Sequence, residues 1–226
     1  MPGLSTASLP VTLSEVVLLC GEQFARKLGP ISFSDVQADL PHTPEKVSTN
    51  ELTRALLTST FLDLEARGAL RLEMQPRKTL FGLRAVPFLQ IALEHERPTL
   101  PDGCLEGRVL HAVGDAGGLT DLAGALHGFV PRSKQPRSVV IDVVRQGLAD
   151  RGLLAPMRAK MLGVLPVRKY VATDEARDLA ARVDARLVRD QFQACERGRP
   201  DVWRALSGGI DAALDGLTER ERDIND

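Results

Sequence analysis

Aromatic side chains are scarce in this sequence: seven Phe, one Tyr and one Trp make up 4% of 226 residues, while Leu, Ala, Val and Arg abound. That shortage disfavours an all-β sandwich and favours helices packed through aliphatic side chains. Cysteine is equally sparse. Cys20, Cys104 and Cys195 lie far apart, form no CxxC pair and leave one over after any pairing. A disulfide framework is thereby excluded, and a reducing, cytoplasmic setting fits best. No run of about 18 apolar residues occurs, so no membrane-spanning helix is expected. The start, Met1 to Thr12, has neither a basic cluster nor a long apolar stretch, so no classical export signal is expected there. Excess charge is lacking too. With a formal net charge of -1, no global field draws the chain toward nucleic acid or an anionic membrane, and any such attraction has to be local.

Catalytic signatures are also missing. The sequence contains no GxSxG, Walker lysine loop, dinucleotide fingerprint or HExxH, and its carboxylates are scattered. His42, His95, His111 and His127 sit singly, without metal-ligand spacing to a Cys or to one another. The expectation is a protein that is not an enzyme and that holds no metal and no cofactor.

What is present is a 43% hydrophobic chain, enough to bury a sizeable core, patterned mainly for helices. Thr12-Leu13-Ser14-Glu15 reads as a capping box opening a helix that runs to about Leu28 before Gly29-Pro30. Ile31 to Ser48, broken by Pro41 and Pro44, reads as one short helix at most. From about Asn50 the apolar positions Leu52, Leu56, Leu57, Phe61, Leu62 and Leu64 cover most of a helical circumference, the mark of a central helix buried on several sides. Arg67-Gly68 stops it. Ala69 to Val86 then alternates apolar and polar residues, predicting a β-hairpin with its turn near Gln75 to Lys78. After the charged and proline-rich stretch Glu94 to Gly103, helices are predicted over Leu105 to Val113 and Leu119 to Phe129, with a third over Ser138 to Arg151. A second hairpin-like run follows. The order of long helix, Arg-Gly stop and short strand pair thus recurs 84 positions apart, at Gly68 and Gly152, suggesting an internal pseudo-repeat. Thr173-Asp174-Glu175 caps a last long helix with Ala176, Leu179, Val183 and Leu187 on one face. Beyond Gly198 the tail reads as a weaker helix fraying into charge.

Charge is distributed unevenly. Val130 to Tyr170 carries nine basic residues, among them Arg132, Lys134, Arg137, Arg168 and Lys169, against only Asp142 and Asp150. Such a segment is either a solvated face or a surface for an anionic ligand, lipid headgroups and nucleic-acid phosphates being the two candidates. Beside it lies the apolar run Met161-Leu-Gly-Val-Leu-Pro166. Exposed, its Leu162, Val164 and Leu165 would wedge into a bilayer or form a self-association patch; buried, they are core.

Three stretches in this order resemble the Golgi phosphoprotein three family: Thr12 to Leu19 (TLSEVVLL), Leu64 to Glu73 (LEARGALRLE) and Arg77 to Leu80 (RKTL). Ala149 to Leu154, the Met161 to Pro166 run and Thr173-Asp174 continue the match, which covers about residues 12 to 190. The resemblance implies a mainly α, single helical domain over residues 12–197, with a central helix bundle, peripheral amphipathic helices and two short β-hairpins. It would be preceded by a tail, 1–11, and followed by a short C-terminal helix and charged tail, 198–226. The resemblance further implies a peripheral membrane or adaptor protein that recognises phosphatidylinositol 4-phosphate, its apolar hairpin aiding insertion or homo-oligomerisation. The Arg, Ala and Leu bias points to a bacterial member on the inner face of a membrane. Where the family's headgroup pocket has a tryptophan and three arginines, this chain has Ser48, Leu57, Ser138 and Ile141. Arg54, one turn before Leu57, and Arg137, next to Ser138, would instead form a displaced anion site. Two alternatives stand beside this reading: a tandem winged-helix-like nucleic-acid-binding protein, disfavoured by the small number of cations on the Ser138 to Arg151 helix, and a protein-interaction scaffold without lipid binding.

Overall fold

The computed structural model describes residues 11–29, 36–78, 85–94, 98–161 and 165–219. Its centre is α2 (Thr49–Ala66), whose Leu52, Leu56, Leu57, Phe61 and Leu64 are each fully buried. The helix packs against α1 (Leu13–Leu19), α3 (Leu105–Asp115), α5 (Pro136–Asp150), α7 (Arg186–Gly198) and α8 (Pro200–Gly216). Ala55 to Leu64 are buried without a break, and three buried hydroxyls of the helix bond to backbone carbonyls. Ser59 and Thr60 donate to the Leu56 carbonyl at 2.8 and 2.9 Å, and Thr53 reaches across to the Arg137 carbonyl at 3.2 Å. Among the described residues the fold is mainly α with small antiparallel sheets.

The capping box of α1 forms as its sequence requires, but the helix stops at Leu19 instead of running to about Leu28. A short 3-10 turn over Gly21–Gln23 follows, and Lys27–Leu28 becomes strand β1. The apolar spacing through Phe24 survives because a 3-10 turn keeps nearly the helical period over three residues. A Cβ on Gly21 would lie 2.4 Å from Leu40 Cδ2, so the chain turns directly against that side chain. The region expected to hold one short helix contains instead β2 (Gln37–Asp39) and β3 (Lys46–Ser48), which join β1 in a sheet of order β1-β3-β2.

Both helix-to-hairpin transitions end the same way. Gly68 and Gly152 adopt φ of 69° and 76°, left-handed values that glycine accepts freely. The following amides close back on the helix, Ala69 N to Leu64 O and Leu153 N to Leu148 O, both at 2.9 Å. The hairpins that follow are longer than expected. β4 (Leu70–Lys78) pairs with β5 (Ala85–Leu93), so Gln75 to Lys78 lie inside the ladder and not in the expected turn. β7 (Leu154–Met161) pairs with β8 (Leu165–Ala172). A further strand, β6 (Leu119–Asp121), takes the first residues assigned to a helix and adds to β5, leaving α4 as Leu122–His127.

The last long helix is also two. α6 (Asp174–Arg182) ends where Val183 turns extended, and α7 restarts at Arg186 with its register moved, so that Val188 is buried in place of Leu187. After Gly198 the expected helix is α8, stronger than its sequence suggested: its Val202, Leu206, Ile210 and Leu214 belong to the same core that begins at Val11, while the charged tail from residue 220 lies outside the described residues. Helix α5 crosses the loop before α3 at glycine: a Cβ on Gly147 would stand 2.6 Å from the Gly103 carbonyl oxygen. Gly147→Ala is therefore expected to push α5 off that loop and cost about 1–3 kcal/mol in urea denaturation. A cost near zero would show that the crossing is loose.

Candidate anion site at the starts of α2 and α5

The first residues of α2 and α5 come together beside the end of α8. Ser48 caps α2, its hydroxyl accepting from the Glu51 amide at 3.3 Å. Pro136 opens α5, a position where its missing N–H costs nothing. Between them is a cavity of about 230 Å³ lined by Thr49, Lys134, Arg137, Ser138 and Asp215 among others, with Val36 at its edge, 52% exposed. Its size suits a phosphate-sized group better than a whole drug-sized ligand. Most first-turn amides are engaged within the fold, Thr49 N with Val36 O and both Ser138 N and Val139 N with Gln135 O. Positive potential therefore comes from the two helix dipoles and the basic side chains.

Two polar groups here lack partners among the described residues. The Thr49 hydroxyl is buried and unbonded, in a residue only 2% exposed, and the Arg137 Nε is likewise buried and unbonded. A buried, unsatisfied hydroxyl and guanidinium N–H are costly to keep. The rest of Arg137 is held by α8: its terminal nitrogen lies 2.8 Å from Asp215 and 3.7 Å from Asp211. Arg54 donates to Asp211 through Nε at 2.9 Å and through a terminal nitrogen at 2.5 Å. The loop carrying Arg132 and Lys134 is stitched to the same helix end, Ser133 N donating to Leu217 O at 3.1 Å and Glu219 N to Ser133 O at 3.0 Å.

Of the residues singled out in the sequence, Arg54 and Arg137 thus meet on one carboxylate, Lys134 lines the same cavity, and Arg132 is exposed on the adjoining loop. Lys169 is exposed on β8, opposite Met157 in the ladder. Arg168 is placed opposite Arg158 in register and Leu165 opposite Met161, while Leu162 and Val164 lie outside the described residues. Sequence reading missed Asp211, Asp215 and Thr49. A signal did exist: Asp211 and Asp215 are two like charges four apart near a helix C-terminus, where both the spacing and the dipole disfavour them.

A second polar centre lies deep in the core. Helix α1 is buried along its whole length, so its first-turn amides cannot reach water and need acceptors from the protein. Two carboxylates supply them. Glu15 accepts from Thr12 N at 2.9 Å, and Glu106 of α3 accepts from Ser14 N at 3.2 Å and from the Ser14 hydroxyl at 3.1 Å. Asp63 of α2 is a third buried carboxylate, its oxygens without a hydrogen bond among the described residues. Arg151 pairs with Glu15, and Arg67 Nε lies 2.9 Å from Asp63. Burial raises the pKa of all three carboxyls. Glu106 has no arginine partner among the described residues and moves furthest, to about 7, pushed by burial and then by the neighbouring Glu15 charge. Burial also pushes the Cys104 thiol up to about 12, away from the lowered range of an activated thiolate. Glu15, Asp63 and Glu106 are sealed from solvent at 0% exposure, which suits a structural cap. Among the described residues no group of three or more His, Cys, Asp or Glu is arranged to hold a metal ion.

No family model matches the sequence, and no curated protein matches it closely enough to carry a function across. What the cavity between α2 and α5 takes therefore follows from its own geometry.

Proposed function

We propose that this protein is a peripheral membrane or adaptor protein that binds the phosphate of an anionic phospholipid headgroup, with phosphatidylinositol 4-phosphate the leading candidate, in the cavity at the starts of α2 and α5. The observation that carries the reading is the unpartnered Thr49 hydroxyl in a cavity edged by Lys134 and Arg137. A phosphate oxygen is the acceptor such donors lack. Val36, apolar and exposed at the rim, fits a site that faces a lipid surface. Arg132 and Lys134 add cations on the same side, each worth about 1 kcal/mol against an anionic leaflet. No helix among the described residues is long and apolar enough to cross a membrane, so attachment would be peripheral, with an inner, cytoplasmic leaflet as the proposed location. The cavity takes in Ser138 and adjoins Ser48, two of the positions that the resemblance to the Golgi phosphoprotein three family registers as its headgroup pocket, and membership of that family is part of the proposal, as are the central bundle, the internal duplication of helix and hairpin, and self-association through the β7–β8 hairpin.

Co-sedimentation with phosphatidylcholine vesicles carrying either phosphatidylinositol 4-phosphate or phosphatidylserine tests it. Selective pelleting with the phosphoinositide is expected, and Arg137→Gln should weaken it about fivefold, in line with the loss of one cation worth about 1 kcal/mol near a membrane. Absence of binding to either vesicle at low salt would end the lipid reading.

A second reading has one observation behind it. The order α3, β6, α4, α5, β7, β8 is that of a winged-helix unit, with α5 in the recognition position and the β7–β8 hairpin as wing. The exposed residues along α5 include Asp142, Gln146 and Asp150, however, and acidic groups on a groove-facing helix repel phosphates. Strand β6 also pairs with β5 of the first hairpin instead of β8. Salt-sensitive binding to duplex DNA without vesicle binding would favour this alternative. Binding to neither would leave a protein-interaction scaffold.

A further inference from the structure

Two charges around the cavity are placed against the dipoles of the helices that carry them. Arg137 sits in the first turn of α5, where a cation is disfavoured, and Asp215 in the last turn of α8, where an anion is disfavoured. Arg54 lies in the N-terminal half of α2, and Asp211 is four residues from Asp215 on the same face of α8, a repulsive spacing. The four charges compensate each other through the Arg54–Asp211, Arg137–Asp211 and Arg137–Asp215 pairs. Local rules are commonly broken where a site is built.

We propose that Asp215 is the resident anion of this cavity, which an incoming phosphate must displace from Arg137, so that its carboxylate sets the affinity threshold of the site. The inference rests on the reading of the cavity as an anion site. The two carboxylates are not equivalent. Asp211 is 29% exposed and held by both arginines, so it positions them. Asp215 is 68% exposed and, among the described residues, its carboxylate bonds Arg137 alone; it can swing into water while Arg137 and the Thr49 hydroxyl turn to the ligand. A phosphomonoester brings up to two charges and three acceptor oxygens in place of one charge and two oxygens, and therefore wins the exchange. A phosphodiester, with one charge, gains little over the aspartate it replaces.

The test uses the whole chain and two monoester probes: soluble glycerol 2-phosphate by titration calorimetry, and phosphatidylcholine vesicles carrying phosphatidylinositol 4-phosphate by co-sedimentation. Asp215→Asn is expected to tighten binding about 3- to 5-fold, the range set by release of one exposed ion pair. Asp201→Asn, which removes an equal charge from the other end of α8, should leave affinity unchanged, and Arg137→Gln/Asp215→Asn should bind no better than Arg137→Gln. Tightening in the vesicle arm alone assigns the resident anion's competitor to a lipid headgroup; tightening in both arms assigns it to any phosphomonoester. Wild-type binding that Asp215→Asn fails to tighten, or that Asp201→Asn tightens equally, overturns the displacement and leaves the anion site standing. No wild-type binding to either probe removes the anion site and the inference together.

Discussion

Arg151→Met should lower stability by about 3–5 kcal/mol at neutral pH, because it strips the cation from a carboxylate that has no access to water. Glu15 is 0% exposed and pairs with Arg151, whose Nε also donates to the Gly147 carbonyl at 3.1 Å. With the guanidinium gone, Glu15 has to hold an uncompensated charge among apolar neighbours or take up a proton. Burial already raises its pKa, and Arg151 is the main influence holding it down. The cost should therefore shrink as pH falls and the carboxyl protonates. Urea denaturation at pH 5 and pH 8 reads both effects. Adding Glu15→Gln to Arg151→Met should recover much of the loss, since an amide oxygen still accepts from Thr12 N without a buried charge. A loss under about 1 kcal/mol, the worth of a surface pair, would mean that Arg151 acts as an exposed side chain.

Glu106 should make the fold less stable as pH rises. Its folded pKa is raised from 4.5 to about 7, so between those values the folded state keeps a proton that the unfolded state has lost. Stability is then greatest near and below pH 4.5 as far as this group is concerned, falls as pH climbs to about 7, and levels off above. The full excursion is about 3 kcal/mol. Glu15 and Asp63 are shifted in the same direction and deepen the slope. Glu106→Gln should flatten it: the amide oxygen can accept from Ser14 N and the amide nitrogen can donate to the Ser14 hydroxyl, the two contacts the carboxylate makes at 3.2 and 3.1 Å. The variant should match wild type near pH 5 and exceed its stability at pH 8. Parallel pH profiles for the two proteins would show that Glu106 does not titrate in this range.

These two effects share a cause in the fold of α1. A seven-residue helix buried on every side cannot solvate its N-terminus, and carboxylates from its own first turn and from α3 are the acceptors that a dry environment allows. Burial and then the neighbouring Glu15 charge raise Glu106 to about 7, and no arginine among the described residues offsets them.

What the sequence by itself determined is what depends on near neighbours along the chain. The Thr12 to Glu15 capping box, the all-round apolar pattern of α2 and the Arg67-Gly68 and Arg151-Gly152 stops are set within a few residues, and the structure carries each of them. The two hairpins were legible as elements because side-chain alternation is local, although the extent of the first ladder was not, since Gln75 to Lys78 has turn-forming residues that the ladder absorbs. The early end of α1, the β1-β3-β2 sheet, the break at Val183 and the docking of α8 were decided by tertiary contacts. Leu40 against Gly21 and the shared core from Val11 to Leu217 have no counterpart in local pattern. The candidate site divides along the same line. Arg137 and Lys134 stand out in a basic stretch of sequence, whereas Arg54 meets Asp211 from 157 positions away. Only the packing of α8 against α2 and α5 could show that these arginines are already held by carboxylates, because charge compensation depends on distance in space, and chain separation says nothing about it.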